Sequence, residues 1–462
     1  MGRAKRNPSD KRHSEHLASL HRRKHGSRCL WVLRIFFVCL MVLHLFSQNC
    51  QAEEYKFEVG EIEKKAFHFG GYAEADPVLF GLNKDSRLYK LRFYNRDEGS
   101  TIDQQGFTLQ LDGAYEKGIA RGFVRINSDL VHTYEGWSGQ TSLYEGFLSL
   151  KPSPFATVDT GKKTMKWGKG YAWNPVAFLD RPKDPDDPTL NLEGFYVASM
   201  DYIRSFDGPL KTFSFTPAIV PVYGDMNKDF GEPNHLNPAA KLYFLFFDTD
   251  IDFMFLAGGS RPHRYGFDFS RNLATNLEIH GEAAWIKDYE KSFIDGGGTL
   301  IEEQSDVWSY LVGLRYLTAR ETTYILEYYY NGTGFTEGQM EDYFTLIDRG
   351  YDAFVTTGMD TLLQGAQRLT EGRYGRINPM KNYLYLRISQ KDPFDILYFT
   401  PAITWIANID DRSFSISPEL LYAGITNLEL RLKGTFLSGD EFSEFGEKQN
   451  DYRIELRARY YF

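Results

Sequence analysis

Lys162, Lys166 and Lys169 are interleaved with Trp167, Tyr171 and Trp173 in one short stretch, and Asp180-Arg181-Pro182-Lys183-Asp184-Pro185-Asp186-Asp187-Pro188 follows it. Ammonium groups attract anions, and indole and phenol rings offer flat faces on which a ring-shaped solute can stack. Pro182, Pro185 and Pro188 fix their own φ angles and stiffen the segment. Such a loop can sieve solutes, or it can be a surface loop whose charges pair with one another.

Glu278, His280 and Glu282 form a second constellation, two residues apart at each step. On a strand that spacing puts all three on one face, where they could hold a metal or set a base beside an acid. A polar wall facing water explains the same pattern. Gly-x-Ser-x-Gly does not occur in the sequence, so no nucleophile elbow supports a hydrolase. We assign no catalytic residue, no metal ligand and no cofactor.

The elements around these residues alternate apolar and polar residues with a period of two. The last twelve residues put Tyr452, Ile454, Leu456, Ala458, Tyr460 and Phe462 on one face and Arg453, Glu455, Arg457 and Arg459 on the other. That is a strand with one apolar and one charged face. Similar segments recur near 86–94, 105–117, 118–128, 140–150, 155–163, 193–205, 210–221, 239–248, 250–259, 264–271, 274–288, 304–318, 321–331, 380–391, 394–407, 412–422, 425–437 and 451–462. This gives about 18 strands, with a range of 16 to 20 because 66–75 also alternates. Short connections separate mostly longer ones. Pro217 and Pro401 sit inside segments of this kind and are expected at bulges.

These features resemble bacterial outer-membrane β-barrels, and the aromatic ending at Phe462 resembles the closing strand that the barrel-assembly machinery reads. The resemblance implies an all-β, transmembrane, antiparallel up-and-down barrel over 86–462, placed in the bacterial outer membrane among its lipids. Gly161-Lys162 and Trp167-Gly168 also resemble a pattern in uncharacterised porin-like and polysaccharide-export-like barrels.

The start of the chain fits that address. An arginine-rich tract precedes the apolar run Ile35 to Phe46, too short for the roughly 20 apolar residues of a bilayer span. We expect a cleaved signal peptide over 1–52, then a short segment over 53–85 that could hold a further strand. An uncleaved anchor is the other reading. Cys29, Cys39 and Cys50 all lie in the leader, so the mature chain has no thiol for a disulfide, a cysteine zinc site or haem attachment. The whole chain has 53 Lys+Arg against 62 Asp+Glu, a net charge of −9. With much of the basic character in the leader, the remainder is more acidic still, which excludes a nucleic-acid binder.

Parity also collects cations. Lys90 and Arg92 share a face of 86–94, Arg431 and Lys433 a face of 425–437, and Arg453, Arg457 and Arg459 a face of the last strand. If the first and last strands meet, these make a basic seam on the lumen wall, and such rings favour anions in pores. An ion-pair lattice that stiffens the wall is the alternative. Residues 334–373 break the rhythm, with Met340, Tyr343, Phe344, Ile347, Tyr351 and Phe354 at helical spacing. This insertion is expected to fold as a lid, a plug or a cap on the rim.

The expectation is therefore a porin-like channel for small hydrophilic, preferably anionic, solutes. In it Lys162, Lys166, Trp167, Lys169, Tyr171 and Trp173 belong to a constriction loop. The alternative is a partner-dependent scaffold or export barrel, such as a cytochrome sheath or a polysaccharide exporter. The sequence leaves the oligomeric state open.

Overall fold

The computed structural model describes residues 66–96 and 98–462. The expected signal peptide lies outside them. The strands are β1 Phe67–Leu82, β2 Thr101–Lys117, β3 Ala120–Thr133, β4 Gly136–Ser153, β5 Ala156–Lys163 and β6 Phe195–Ser205. β7 Leu210–Val222, β8 His235–Phe246, β9 Thr249–Leu256, β10 Arg264–Ala274, β11 Leu277–Ile294 and β12 Leu300–Leu317 follow. β13 Thr322–Tyr330, β14 Asn382–Gln390, β15 Phe399–Asn408, β16 Phe414–Ile425, β17 Leu428–Ser438 and β18 Asn450–Tyr461 complete one 18-stranded sheet. Each strand pairs antiparallel with the next, and β18 closes on β1, with Tyr72 opposite Tyr461 and Ala75 opposite Ala458. Closure leaves no free edge, so the wall satisfies its own backbone groups without water.

On β17 and β18 the charged face points inward. Lys433 is 2% exposed and Arg457 8%, whereas the neighbouring Leu432 and Leu456 are each 44% exposed. Turning these cations to lipid near the midplane would cost roughly 2–4 kcal/mol apiece. Aromatic rings mark both rims. Tyr265, Trp285 and Trp308 stack in succession at one, with Phe255 tilted against Tyr265. Phe69 and Phe462 meet at the other, where the chain termini of the barrel lie. Short turns connect strands at the terminal rim, and long segments, including 164–194 and 331–381, leave from the opposite rim.

Two expectations need correction. The segment near 86–94 is not a strand but a helix, α1 (Arg87–Phe93), begun by Ser86, whose Oγ accepts the Tyr89 amide. Tyr89 and Phe93, four residues apart, then pack ring to ring at 4.9 Å, a contact that alternation over so short a run conceals. The eighteenth strand is β1, so the count survives with one member exchanged. Lys90 and Arg92 consequently leave the seam. Lys90 approaches Asp348 at 3.9 Å, and Arg92 donates to the Tyr134 hydroxyl at 2.8 Å and to Gln449 at 3.1 Å.

The second correction concerns the prolines, where no bulge forms. Pro217 stays in register opposite Ala240, and the ladder to β6 merely loses its pairs between Ser199–Ala218 and Tyr202–Phe215. Pro401 lies opposite Leu420, just beyond the last β14–β15 pair, Ser389–Ala402. Each strand drops ladder bonds locally instead of inserting a residue.

The insertion forms α2 (Glu337–Thr357) and α3 (Thr361–Leu369). A capping box between Thr336 and Gln339 starts α2, and Gly358, at φ 75°, ends it. Its buried stripe, Met340, Tyr343, Phe344 and Ile347, packs with Leu363 and Ala366 of α3. The same core includes Tyr383, Tyr385 and Ile406 from inward positions of β14 and β15. The helices are therefore seated in the mouth of the barrel against its inner wall.

Candidate functional site

The chain between β5 and β6, residues 164–194, turns into the lumen instead of out to solvent. Irregular backbone at that depth needs acceptors for its amides, and inward carboxylates supply them. Glu145 on β4 accepts the Thr164 amide at 3.1 Å and its hydroxyl at 2.8 Å. Asp180, within the loop, accepts Met165 N at 2.7 Å and Trp167 N at 3.1 Å.

Two wall carboxylates hold the far point of the loop. Glu282 on β11 accepts from Lys169 N, Gly170 N, Val176 N and the Asn174 amide group. Glu327 on β13 accepts from Tyr171 N, Ala172 N and His280 Nε2. The Glu278–His280–Glu282 face thus serves as a docking wall, with the Tyr171 hydroxyl donating to Glu278 at 2.9 Å. The glycines permit this close approach. A Cβ on Gly168, at φ 96°, would fall 2.8 Å from Glu282 Oε1, and one on Gly170 2.0 Å from the Trp173 carbonyl oxygen.

The loop then recrosses the lumen to the basic seam. Asp187 meets Arg431 at 2.7 Å and Arg457 at 3.2 Å, and Asp186 meets Lys433 at 2.8 Å and also Arg453. Burial raises the Asp187 carboxyl, but Arg431 and Arg457 outweigh it and bring the group from 3.8 down to about 2. Glu455 takes another bond from Arg431 at 2.6 Å, and Glu74 on β1 takes Arg459 at 2.6 Å. Arg431, Lys433, Arg453, Arg457 and Arg459 lie together on neighbouring strands, and the protein's own carboxylates pair with each of them.

The aromatic residues of the stretch are anchors. Trp167 is 2% exposed, packed with Val176, Phe178, Phe195 and Leu256. Trp173 is 4% exposed, stacked on Tyr329 at 5.3 Å and in the core shared with α2 and α3. Neither offers the open stacking face expected for a solute. Lys162 is on β5 and pairs with Glu193, and Lys169 pairs with the buried Asp252 at 2.9 Å. Lys166 alone of the three lines open space.

That space is a cavity of about 760 Å³ on the loop-rim side. Arg125, Lys166, Arg181, Lys183, Arg261, Arg264 and Arg376 line it, with a single carboxylate, Asp180, already engaged by amides. A second cavity of about 320 Å³ lies towards the terminal rim, where Arg387, Arg431, Arg457 and Arg459 face Asp186, Asp187, Glu419 and Glu429. Both share the segment Pro188-Thr189-Leu190-Asn191 as a wall. Asn191 donates to Gln110 on β2 at 3.2 Å. The sequence reading missed Arg125, Arg261, Arg264 and Arg376, which come from β3, β10, and two loops with no common spacing.

The closed antiparallel barrel, its apolar lipid-facing belt and its polar, loop-filled lumen define a bacterial outer-membrane β-barrel of porin-like architecture. No family model and no curated protein sequence matches the chain. Among solved structures, Pseudomonas aeruginosa OpdQ is similar at a TM-score of 0.50 and 11% identity, over 86% of this chain and 99% of that one. OccK11 (OpdR) of the same organism gives 0.48 and 14% over 85% and 95%, and OprD gives 0.45 and 10% over 87% and 97%. At these identities the likeness is one of fold.

Proposed function

We propose that this barrel is a channel for passive diffusion of small hydrophilic, anionic solutes across the bacterial outer membrane, with the long-loop rim outside and the termini in the periplasm. The observation that carries the reading is the larger cavity, whose lining holds seven cationic side chains and one engaged carboxylate, only Arg125 and Arg181 of the seven being paired, among the described residues, with carboxylates behind the lining. Low-dielectric walls around charges of one sign focus the field and concentrate counter-ions. A solute enters this cavity, passes the lip at Thr189, Leu190 and Asn191, and leaves through the smaller, charge-balanced cavity. Lys162, Trp167, Lys169, Tyr171 and Trp173 act by holding the loop, and Lys166 acts on the solute. The C-terminal strand is the feature that the barrel-assembly machinery would engage.

Planar-bilayer recordings in a salt gradient test the reading. Wild-type protein should give an anion-selective reversal potential that moves towards zero in Lys166→Gln and Arg376→Gln. A cation-selective or unshifted potential would refute it. A partner-dependent scaffold or export barrel is the second reading, favoured by how fully the loop and the α2–α3 core occupy the lumen. A correctly folded barrel without conductance would select it.

A further inference from the structure

Arg181, Arg261 and Arg264 stand together at the edge of the larger cavity, brought there by the inward loop, the β9–β10 loop and the first residue of β10. Their guanidinium groups lie over aromatic rings: Arg261 over Phe230 at 3.8 Å, Arg181 over Phe195 at 4.8 Å and Arg264 over Phe178 at 6.0 Å. Stacking fixes their planes but supplies no anion. Arg181 is partly compensated, donating to Asp229 at 3.4 Å and approaching Glu193 at 3.5 Å, which Lys162 shares.

Arg261 donates only to the backbone carbonyls of Phe230 and Phe178, and among the described residues neither Arg261 nor Arg264 has a carboxylate within 4.0 Å. The Nε atoms of Arg181 and Arg264 are buried without a hydrogen-bond partner. Burial first, and then the like charges of Arg264 and Arg181, bring Arg261 down to about 9, the direction expected of a cation lacking its counter-ion. Two uncompensated positive charges beside a solvent cavity call for two negative ones.

We propose that Arg181, Arg261 and Arg264 form a recognition subsite for a dianionic tetrahedral oxyanion, the phosphate group of a phosphate monoester. This rests on the channel reading for its role in transport, but binding itself does not. Guanidinium forks pair with two oxygens of such a group at once, whereas a monocarboxylate leaves one cation unmet. The remaining cavity, bordered by Pro175, Ala177 and Trp173, has room for the organic part of the solute.

Titration calorimetry of the refolded full barrel with inorganic phosphate and with acetate tests the inference, alongside bilayer conductance. Phosphate should bind more tightly than acetate, and Arg264→Gln should weaken it by about tenfold or more, the loss of one charge-assisted bond. Arg181→Gln and Arg264→Lys provide further variants should that one misfold, and Arg264→Lys should retain only part of the affinity. Equal binding of acetate and phosphate, or unchanged phosphate binding in the variants, would overturn it. Conductance without phosphate binding would remove this subsite and leave the channel, whereas phosphate binding without conductance would remove the channel and leave the subsite.

Discussion

The basic seam of β17–β18 and the arginine cluster of the larger cavity are both rows of lumen cations, and they have opposite fates. In the seam, Arg431 has Asp187, Glu455 and Glu419 within 4.0 Å, and Lys433 and Arg453 share Asp186. In the cavity, Arg261 and Arg264 have no such partner among the described residues. Arg431 and Lys433 hold the loop in place and are neutralised by it, whereas Arg261 and Arg264 keep their field for a mobile ion. Composition cannot separate the two cases, because the separation depends on where Asp186 and Asp187 come to rest.

Breaking the loop's other anchor should have the largest effect. Glu282→Ala leaves Lys169 N, Gly170 N, Val176 N and the Asn174 amide group without their acceptor, at roughly 1–3 kcal/mol for each buried donor left unmade. The loop should undock while the wall stays closed, giving a larger, noisier unitary conductance with an unchanged heat-modifiable gel shift. A silent or unfolded barrel would mean that Glu282 supports the wall itself.

Next in size is the conversion of the seam into a second cavity-like field. Asp186→Asn with Asp187→Asn leaves Lys433 and Arg453 without a carboxylate among the described residues and Arg431 and Arg457 with one fewer, and should raise the anion-to-cation permeability ratio by about tenfold, the low end of what a charged cleft does to local ion concentration. An unchanged reversal potential would show that solutes never meet the seam.

Acid should mimic that change in part. Asp187 is an acid whose folded value lies below its ordinary one, so its stabilisation is complete above 3.8 and fades as pH falls towards about 2. Conductance recorded on stepwise acidification should hold steady down to that window and change within it. A transition well above 3.8 would assign the response to other carboxylates.

The smallest change should come from Leu190, 42% exposed between the cavities. Leu190→Trp should lower the conductance of large organic anions more than that of chloride, and Leu190→Gly should do the reverse.

The wall was legible in the sequence wherever charge enforced alternation, as on β18, because a barrel in lipid cannot tolerate Arg457 facing outward. Alternation failed at Leu88, Lys90 and Arg92, where a seven-residue segment satisfies both periods and a Ser86 cap decides the outcome. The inward loop was recognisable from its lysines and tryptophans, yet their roles were inverted, since Lys169 and Trp173 face partners on β9 and β13. Arg181 and Arg264 are 83 positions apart and share no local pattern, so only the closed barrel brings them together.

Beyond Glu145 on β4, the loop after β5 takes its acceptors from β11 and β13 and its cationic partners from the seam of β17 and β18, all of which lie later in the chain. It therefore cannot reach its final seat until those strands are in place. This sets an order of assembly: the wall forms first, and the bore narrows afterwards. An intermediate halted before β18 meets β1 would have its Asp186 and Asp187 still in water and a wider bore than the finished barrel.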